Sequence, residues 1–350
     1  MKQMLVEASV GRGFATDISG RSAALALCIA IAVVADIAAG YAPTVGAPIF
    51  AMAIGVLLAN TWPRRPSLHA LPVSELSKIS LKIGIVVLGG SLDLGQVARA
   101  GLESLPILLP TISVGLACAL CAGWLLQVDW RMRCLIGIGT TICGASAIAA
   151  LAPVVRAKAE EIAYAISVVF LFNMVAVIAF PAFGHLMALD QHGFGLWAGS
   201  AVNDTSAVVA AGFAYGKDAG IQATVVKLTR TTFIIPLVLG FGLLMPLVDR
   251  NADAVASETI GSRVRNAFPL FIVLFVLASV LNTFGLIGVD ASEVQIAGRW
   301  VLVVALAAVG LQGRWTAFAG AGPRPLLLGL LTWAAIALAS LAAQAWSGAL

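Results

Sequence analysis

The amino-acid sequence predicts an all-α polytopic membrane protein with about 9–11 membrane segments of ~20 residues each. Of the 350 residues, 60% are hydrophobic and 11% are charged, whereas about 25% of the residues in a soluble domain are charged. The apolar residues form runs at 22–40, 44–60, 80–92, 104–127, 134–155, 161–182, 193–214, 222–248, 267–287, 297–312 and 326–346. Because no gap between these runs can hold a soluble domain, we expect a single transmembrane domain over residues 1–350.

Several classes of function are excluded by composition and motifs. The net charge of +4 is small and lies in the polar gaps, so it indicates membrane topology rather than nucleic-acid binding. Cys118 and Cys121 lie within an apolar run with no nearby histidine or carboxylate, which favours buried small side chains over a metal or redox pair. No nucleotide-binding loop or zinc-protease motif occurs. We therefore predict no cofactor, no metal site and no enzymatic activity.

The basic residues predict the orientation in the membrane. The first apolar run contains Asp36 and is longer than a signal-peptide core, so we expect a retained first span. Arg21 precedes that run, Arg65 and Arg131 follow the second and fourth runs, and Arg265 precedes the ninth. If all four are cytoplasmic, the N-terminus lies inside and the C-terminus outside a bacterial inner membrane.

Two apolar runs differ from ordinary spans. Residues 137–147 and 199–207 place glycine, serine and threonine where a lipid-facing helix would carry leucine, isoleucine and valine. The two segments align at a constant offset of 60 residues, which pairs Gly139 with Gly199. The offset continues into the following span, where Ala163 pairs with Ala223.

A weaker internal match joins residues 87–95 to residues 305–313. Interrupted segments in corresponding halves are typical of transporters built from inverted repeats. We therefore predict two discontinuous helices, broken or re-entrant, within core segments at about 80–182 and 193–248, with the other spans as a panel or scaffold. The alternative is that the small residues only allow close helix packing.

Non-helical backbone at membrane depth is expected only where it is buried in protein or lines a watery cavity. Two breaks that meet would offer backbone N–H groups, positive helix ends and side-chain donors to an anion. We expect the helices after the breaks to begin near Ser146 and Ser206, both plausible N-caps. The predicted substrate-binding residues are Thr140, Thr141, Cys143, Gly144, Ser146, Ser200, Asn203, Thr205, Ser206, Lys227 and Arg230. The alternative is that these hydroxyl groups only cap the breaks.

Three ionisable residues lie close to the second interrupted run or in the span after it. An acid at mid-depth is costly, so Asp204 is predicted to couple transport by holding a proton or a cation. Lys227 and Arg230 share one helix face. Three roles are open for this pair of side chains. The first is to attract an anion, the second is to neutralise Asp204 or one of Glu160 and Glu161, and the third is to extend to the membrane interface.

Other polar residues within the spans have a simpler interpretation. Asp36, Asn173 and Asn282 are single polar residues in apolar runs. We expect them to be hydrogen-bond partners between helices.

Four segments resemble the YeiH-like sulfate exporter family, a match that extends over nearly the whole chain. They are Thr141–Ala150 followed by Pro153, Glu160–Ser167, Asp204–Ala211 and Val226–Arg230. The resemblance implies an inner-membrane secondary transporter related to the superfamily of cation/proton antiporters and bile-acid symporters. Its fold has a panel domain and a core domain with paired discontinuous helices. Members often carry a histidine before the acid, where this sequence has Asn203, so Asp204 is the titratable candidate.

The sequence and the resemblance together predict a carrier of a small inorganic or organic anion, such as sulfate or a sulfonate-related anion, working by alternating access. Coupling to H⁺ or Na⁺ is expected at Asp204. A cation/proton antiporter and an uncoupled anion channel are the alternatives. The expected partners are the anion, the coupling ion and the lipid bilayer, with a homodimer as one arrangement and no nucleic acid.

Overall fold

The structure is a computed structural model that describes residues 2–41, 46–61, 72–248, 270–313 and 322–349. Side chains are described for 20–41, 46–61, 72–241, 270–313 and 322–349. All regular secondary structure within these ranges is helical, so the predicted all-α class is confirmed. Arg65 and Arg265, which entered the predicted orientation, lie outside the described residues.

The described ranges form a series of helices joined by short connections. They are α1 (Lys2–Tyr41), α2 (Gly46–Thr61), α3 (Val73–Gly89), α4 (Leu94–Leu125), α5 (Trp130–Thr141), α6 (Ala145–Leu151), α7 (Ala159–Leu186), α8 (Gln191–Ala201), α9 (Thr205–Tyr215), α10 (Lys217–Thr232), α11 (Ile234–Val248), α12 (Leu270–Thr283), α13 (Ala291–Gly310) and α14 (Pro323–Ser347). Aspartates begin several of them. Asp93 caps α4, Asp129 caps α5 and Asp190 caps α8, each by accepting a hydrogen bond from a backbone N–H of the first turn.

Helix length and composition support several membrane crossings. Among the described residues, six helical segments are long and apolar enough to cross a bilayer. They are Gly20–Tyr41, Leu94–Leu125, Ala159–Leu186, Lys217–Phe241, Ala291–Gly310 and Pro323–Ser347, and three shorter apolar helices are Gly46–Thr61, Thr205–Tyr215 and Leu270–Thr283. Large apolar side chains on the long helices point outward, among them Leu102, Ile178 and Leu338, each more than 60% exposed. Such a surface suits contact with lipid rather than with water.

The helices around the interrupted runs lie in the interior. From Gly193 to Ala201 every residue of α8 is buried, and the same holds for Ser206 to Ala214 in α9. Glycines bring α10 close to both helices: a Cβ placed on Gly199 would lie 2.6 Å from the Cβ of Val226. Small residues therefore allow close packing at this helix contact.

The second, weaker internal match begins in the last turns of two helices, α3 and α13, that pack together. A Cβ placed on Gly84 of α3 would lie 2.7 Å from Leu302 of α13. A Cβ placed on Gly298 would lie 3.2 Å from the backbone nitrogen of Leu88. Small residues thus allow this close contact as well.

Candidate functional site

The first interrupted run contains a helix break at residues 142–144. Helix α5 ends at Thr141 and α6 begins at Ala145. Gly144 has a φ of +69° and a ψ of −132°, a conformation that a residue with a Cβ rarely adopts. Its N–H donates to the carbonyl oxygen of Gly139 at 2.8 Å. Glycine therefore lets the chain leave one helix and start the next within three residues.

The second break, at residues 202–204, separates α8 from α9 and is held by side chains. Asp204 is the N-cap of α9, and its Oδ2 accepts a hydrogen bond of 3.0 Å from the backbone N–H of Ser206. The hydroxyl of Ser206 donates to the same oxygen. The Oδ1 atom of Asn173, on α7, accepts the backbone N–H of Asp204 at 3.0 Å. The carboxylate thus has a fixed place at the positive end of α9.

The two breaks lie at corresponding positions, 60 residues apart in the sequence, and next to each other in the structure. Equivalent helix ends, caps and starts lie 60 residues apart: Thr141 and Ala201, Gly144 and Asp204, Ala145 and Thr205. A Cβ placed on Gly144 would lie 3.5 Å from Oδ1 of Asp204, so the two breaks face each other. The positions of the helix ends agree with the internal repeat, and the inverted sense of that repeat stays a prediction.

The two helices begin within one residue of the predicted positions, but the predicted N-caps are wrong by two residues. The sequence predicts Ser146 as the cap of α6, but Gly144 holds that position and Ser146 is exposed in the first turn. It predicts Ser206 as the cap of α9, but Asp204 takes that role. Aspartate is as good an N-cap as serine, and the left-handed φ of Gly144 ends the previous helix before a serine is reached.

Lys227 is completely buried and is bonded to both breaks. Its Nζ donates to the carbonyl oxygens of Ile142 at 2.7 Å and Val202 at 2.9 Å. A third hydrogen bond goes to the carbonyl oxygen of Asn203. All three N–H donors of the ammonium group therefore have an acceptor.

Arg230, one turn later, is also completely buried and bonds the same two breaks. Its Nε donates to the carbonyl oxygen of Thr141 at 2.5 Å, and Nη2 donates to that of Thr140 at 3.0 Å. Nη1 donates to the carbonyl oxygen of Val202 at 3.2 Å. The planar guanidinium group thus joins the end of α5 to the second break.

These contacts show which groups bind the two cations within the described residues. Lys227 and Arg230 donate six side-chain hydrogen bonds within the described residues, and a main-chain carbonyl oxygen accepts each of them. Glu161 instead accepts the backbone N–H of Lys158 at the start of α7, 2.7 Å away. The last carbonyls of a helix lack partners within it and carry partial negative charge, so buried cations are stabilised there. Within the described residues, neither cation forms an ion pair with Asp204, Glu160 or Glu161.

Three buried polar side chains next to these carbonyls have no hydrogen-bond partner among the described residues. They are Thr140, Thr141 and Asn203, whose exposed fractions are 1%, 0% and 0%. In Asn203 both the amide nitrogen and the amide oxygen are unpartnered. Because buried polar groups are nearly always hydrogen-bonded, this concentration of unpartnered groups marks the meeting point of the breaks as a candidate binding site.

The remaining predicted residues lie around this point. Cys143 is buried in the first break, and Thr205 is half-buried at the start of α9. Ser200 points elsewhere, because its Oγ donates to the carbonyl oxygen of Leu196 at 2.6 Å and lies 2.5 Å from Oγ of Ser340 on α14. The structure therefore brings Ser200 into a helix contact rather than into the site.

The expected interhelical partners are confirmed in two of three cases. Asn173 accepts the N–H of Asp204, and Asn282 donates to the carbonyl oxygen of Leu92 at 3.2 Å. Asp36 is exposed on α1, and the described residues give it no such bond. Sequence reasoning found Asn173 as a polar residue in an apolar span but missed that it holds the coupling candidate.

A cavity of about 290 Å³ lies beside the first half of α10. Its polar lining comes from Gln96, His192, Asp218 and Gln222. The Nε2 atom of Gln222 is buried and has no partner among the described residues.

The long apolar helices and their outward-facing side chains define a multi-pass membrane protein. The chain belongs to the family described as conserved hypothetical protein 698, whose sequence model matches residues 23–329. The YeiH-like membrane protein family indicated by the motifs is thereby confirmed, whereas the sulfate-exporter function and the superfamily stay predictions.

Curated relatives cover nearly the whole chain. A UPF0324 membrane protein of Streptococcus pyogenes serotype M6 is 40% identical over 328 residues, which cover 91% of this chain and 95% of the relative. A UPF0324 membrane protein of Streptococcus agalactiae serotype V is 37% identical over 332 residues, 93% of this chain and 97% of the relative. A UPF0324 membrane protein of Streptococcus pneumoniae is 37% identical over 339 residues, which cover 95% of this chain and 98% of the relative. No solved structure matches the chain significantly.

Proposed function

We propose that this protein is a secondary active transporter that carries a small anion, such as sulfate or a sulfonate-related anion, by alternating access. The observation that supports it best is the pair of completely buried cations, Lys227 and Arg230, at the meeting point of the two breaks. Charged groups within a membrane protein are costly and usually mark the path of a substrate or an ion.

The charge balance at this point favours an anion. Two cations and one carboxylate, that of Asp204, lie at the meeting point of the breaks, and among the described residues neither cation forms an ion pair with an acid. Four helix ends also meet here, two negative and two positive, and each carries about half a charge, so their contributions nearly cancel. The site therefore holds more basic than acidic side chains, which favours an anion over a cation.

Polar groups beside the cations supply the hydrogen bonds that such an anion needs. Thr140 and Thr141 each have a buried, unpartnered hydroxyl, that of Thr141 lying against Gly115 of α4, and Asn203 has an unpartnered amide. Ser146 and Thr205 carry further hydroxyl donors on the more exposed side. Asp204 is half-buried, so its carboxylate has the access to water that coupling to H⁺ or Na⁺ requires.

The test is uptake of labelled sulfate into proteoliposomes containing the purified protein. Thr141→Val removes an unpartnered hydroxyl and is expected to raise the half-saturating sulfate concentration roughly tenfold, the value of one buried hydrogen bond. Thr332→Val is the matched control, because Thr332 is equally buried but donates to Leu328 of its own helix at 2.8 Å. Sulfate uptake that is absent, or equal in the two variants, contradicts the proposal.

A second candidate is a cation/proton antiporter, favoured by the half-buried carboxylate of Asp204 between the two breaks. In that case a pH or Na⁺ gradient drives ion exchange and sulfate has no effect. The variant Asp204→Asn separates the mechanisms, because a coupled carrier loses its dependence on the gradient. Full sulfate uptake by this variant, with no gradient dependence in the wild type, indicates an uncoupled anion channel.

The remaining expectations concern the cellular setting. We propose a bacterial inner membrane with the N-terminus in the cytoplasm, as the basic residues around the first spans indicate. A homodimer is the simplest assembly to test, by light scattering of the purified protein in detergent.

A further inference from the structure

Five main-chain carbonyl oxygens at or next to the two breaks converge on the side chains of α10. Those of Thr140 and Thr141 come from the end of α5, that of Ile142 from the first break, and those of Val202 and Asn203 from the second break. Unwound carbonyls of discontinuous helices are the groups that coordinate Na⁺ in membrane transporters. The backbone therefore builds the type of oxygen cluster that selects a cation.

The neighbouring carbonyls of the first break are already used within the backbone. The oxygen of Ile138 accepts the N–H of Ile142 at 2.9 Å, and that of Gly139 accepts the N–H of Gly144 at 2.8 Å. The carbonyls that follow have no such partner and turn to Lys227 and Arg230. These two side chains are thus the only described donors that complete the break.

Lys227 meets this cluster as a compact cation. An ammonium group is a point charge with three donors, and here the donors are divided between the two breaks. Its buried position and its lack of a carboxylate partner among the described residues resemble a bound monovalent ion more than a salt bridge. The surrounding oxygens are neutral carbonyls, as in a site for Na⁺ or K⁺.

We propose that the ammonium group of Lys227 is a tethered substitute for a monovalent cation. It occupies the oxygen cluster between the two breaks, so the wild-type protein binds neither Na⁺ nor K⁺ there. Removal of the side chain turns the same cluster into a site for a free monovalent cation. Arg230 keeps the ends of α5 and α8 together when Lys227 is absent, because it bonds Thr141 and Val202 independently.

This inference narrows the coupling ion. If the protein is the carrier proposed above, a fixed charge already stands at the cation position, and coupling through Asp204 uses H⁺ rather than Na⁺. That consequence depends on the proposed function, whereas the statement about ion binding does not. The two are tested separately, since one is measured by transport and the other by binding.

The experiment follows thermal unfolding of the purified protein in detergent, with choline chloride replaced stepwise by NaCl, KCl or ethylammonium chloride at constant ionic strength. The wild-type Tm is expected to be the same in all four salts. Lys227→Ala is expected to lower the Tm, and ethylammonium or Na⁺ is expected to restore part of the loss in a saturable way, because bound ligand stabilises the folded state. Lys217→Ala, an exposed lysine of the same helix, is the matched control and is expected to show neither effect.

Lys227→Met supplies a second route if the alanine variant does not fold. Methionine fills the space of the stem without a charge, so its Tm is expected to be low and insensitive to the cation. A wild-type Tm that rises with Na⁺ overturns the inference without any variant. So does an alanine variant that no monovalent cation stabilises, or a methionine variant rescued to the same extent.

Discussion

The two breaks have the same backbone plan but different chemistry. At the first, Gly144 provides the cap position without a side chain, and the polar groups are the hydroxyls of Thr140 and Thr141. At the second, Asp204 provides a carboxylate whose own N–H is held by Asn173. The first break therefore provides a position without a side chain, with neutral hydroxyl groups next to it. The second break provides a carboxylate whose backbone is held by a hydrogen bond.

This difference teaches how an internal repeat can form an asymmetric site. The shared offset of 60 residues fixes where both helices end, so the carbonyls of both breaks face one helix, α10. Only one copy carries the acid, so the site has a single candidate for coupling. Four substitutions test this division, from the largest expected effect on stability to the smallest.

Arg230→Met is expected to lower the free energy of unfolding most, by about 3 kcal/mol, because it leaves the carbonyls of Thr140 and Thr141 buried without donors. Thermal unfolding in detergent measures the loss. Arg299→Met, at an exposed position of α13, is the control and is expected to change the Tm little. An equal Tm for the two variants would show that Arg230 does not hold the first break.

Asn173→Ala tests the support of the second break. The N–H of Asp204 loses its acceptor, and a buried unsatisfied donor costs about 1–3 kcal/mol. The same substitution at Asn282 removes a bond to Leu92 outside the site. We expect both variants to be less stable and only Asn173→Ala to change the gradient dependence of uptake, so identical transport in the two would contradict the role of Asn173.

Gly144→Ala tests the first break, where the positive φ costs a residue with a Cβ about 1–2 kcal/mol. Gly285 has a φ of +67° and lies in open space, since a Cβ placed on it would meet no atom within 4 Å. Gly285→Ala therefore places a Cβ at another positive φ, away from the site, and the Tm is expected to fall in both variants. Sulfate uptake is expected to fall only in Gly144→Ala, whose new methyl group contacts Asp204, and an equal change in uptake would argue against this contact.

Asn203→Leu has the smallest expected effect on stability. Because neither amide atom has a described partner, an apolar side chain of similar size is expected to change the free energy of unfolding by less than about 1 kcal/mol. Uptake of sulfate is nevertheless expected to be lost. A large drop in Tm would show that Asn203 serves the fold rather than the substrate.

Much of this architecture could be predicted from the sequence. The apolar runs predict the helices, and the repeat places both breaks within a residue or two, because glycine, serine and threonine at mid-span are rare in lipid-facing helices. The single asparagines in apolar spans correctly predict hydrogen bonds between helices for Asn173 and Asn282.

The partners of Lys227 and Arg230 could not be predicted in the same way. Their acceptors are main-chain carbonyls, which every residue carries, so no residue type marks them in the sequence. The repeat predicts Ser200 in the site, yet this serine faces Ser340 on α14, a contact that spans 140 residues of chain. The prediction of the caps failed for a local reason, since aspartate, glycine and serine compete for that position.

The close fit of α10 has a mechanical consequence. Cβ atoms placed on Gly195 and Gly199 of α8 would lie 2.6 Å from Gln222 and Val226, so no lipid tail or water layer can enter between these helices. Because its cations donate to carbonyls of Ile142 and Val202, one in each break, α10 is expected to move together with α8. In the proposed carrier, a movement that opens the site to the other side of the membrane is therefore expected to carry α8 and α10 together, with the sliding surface elsewhere in the fold.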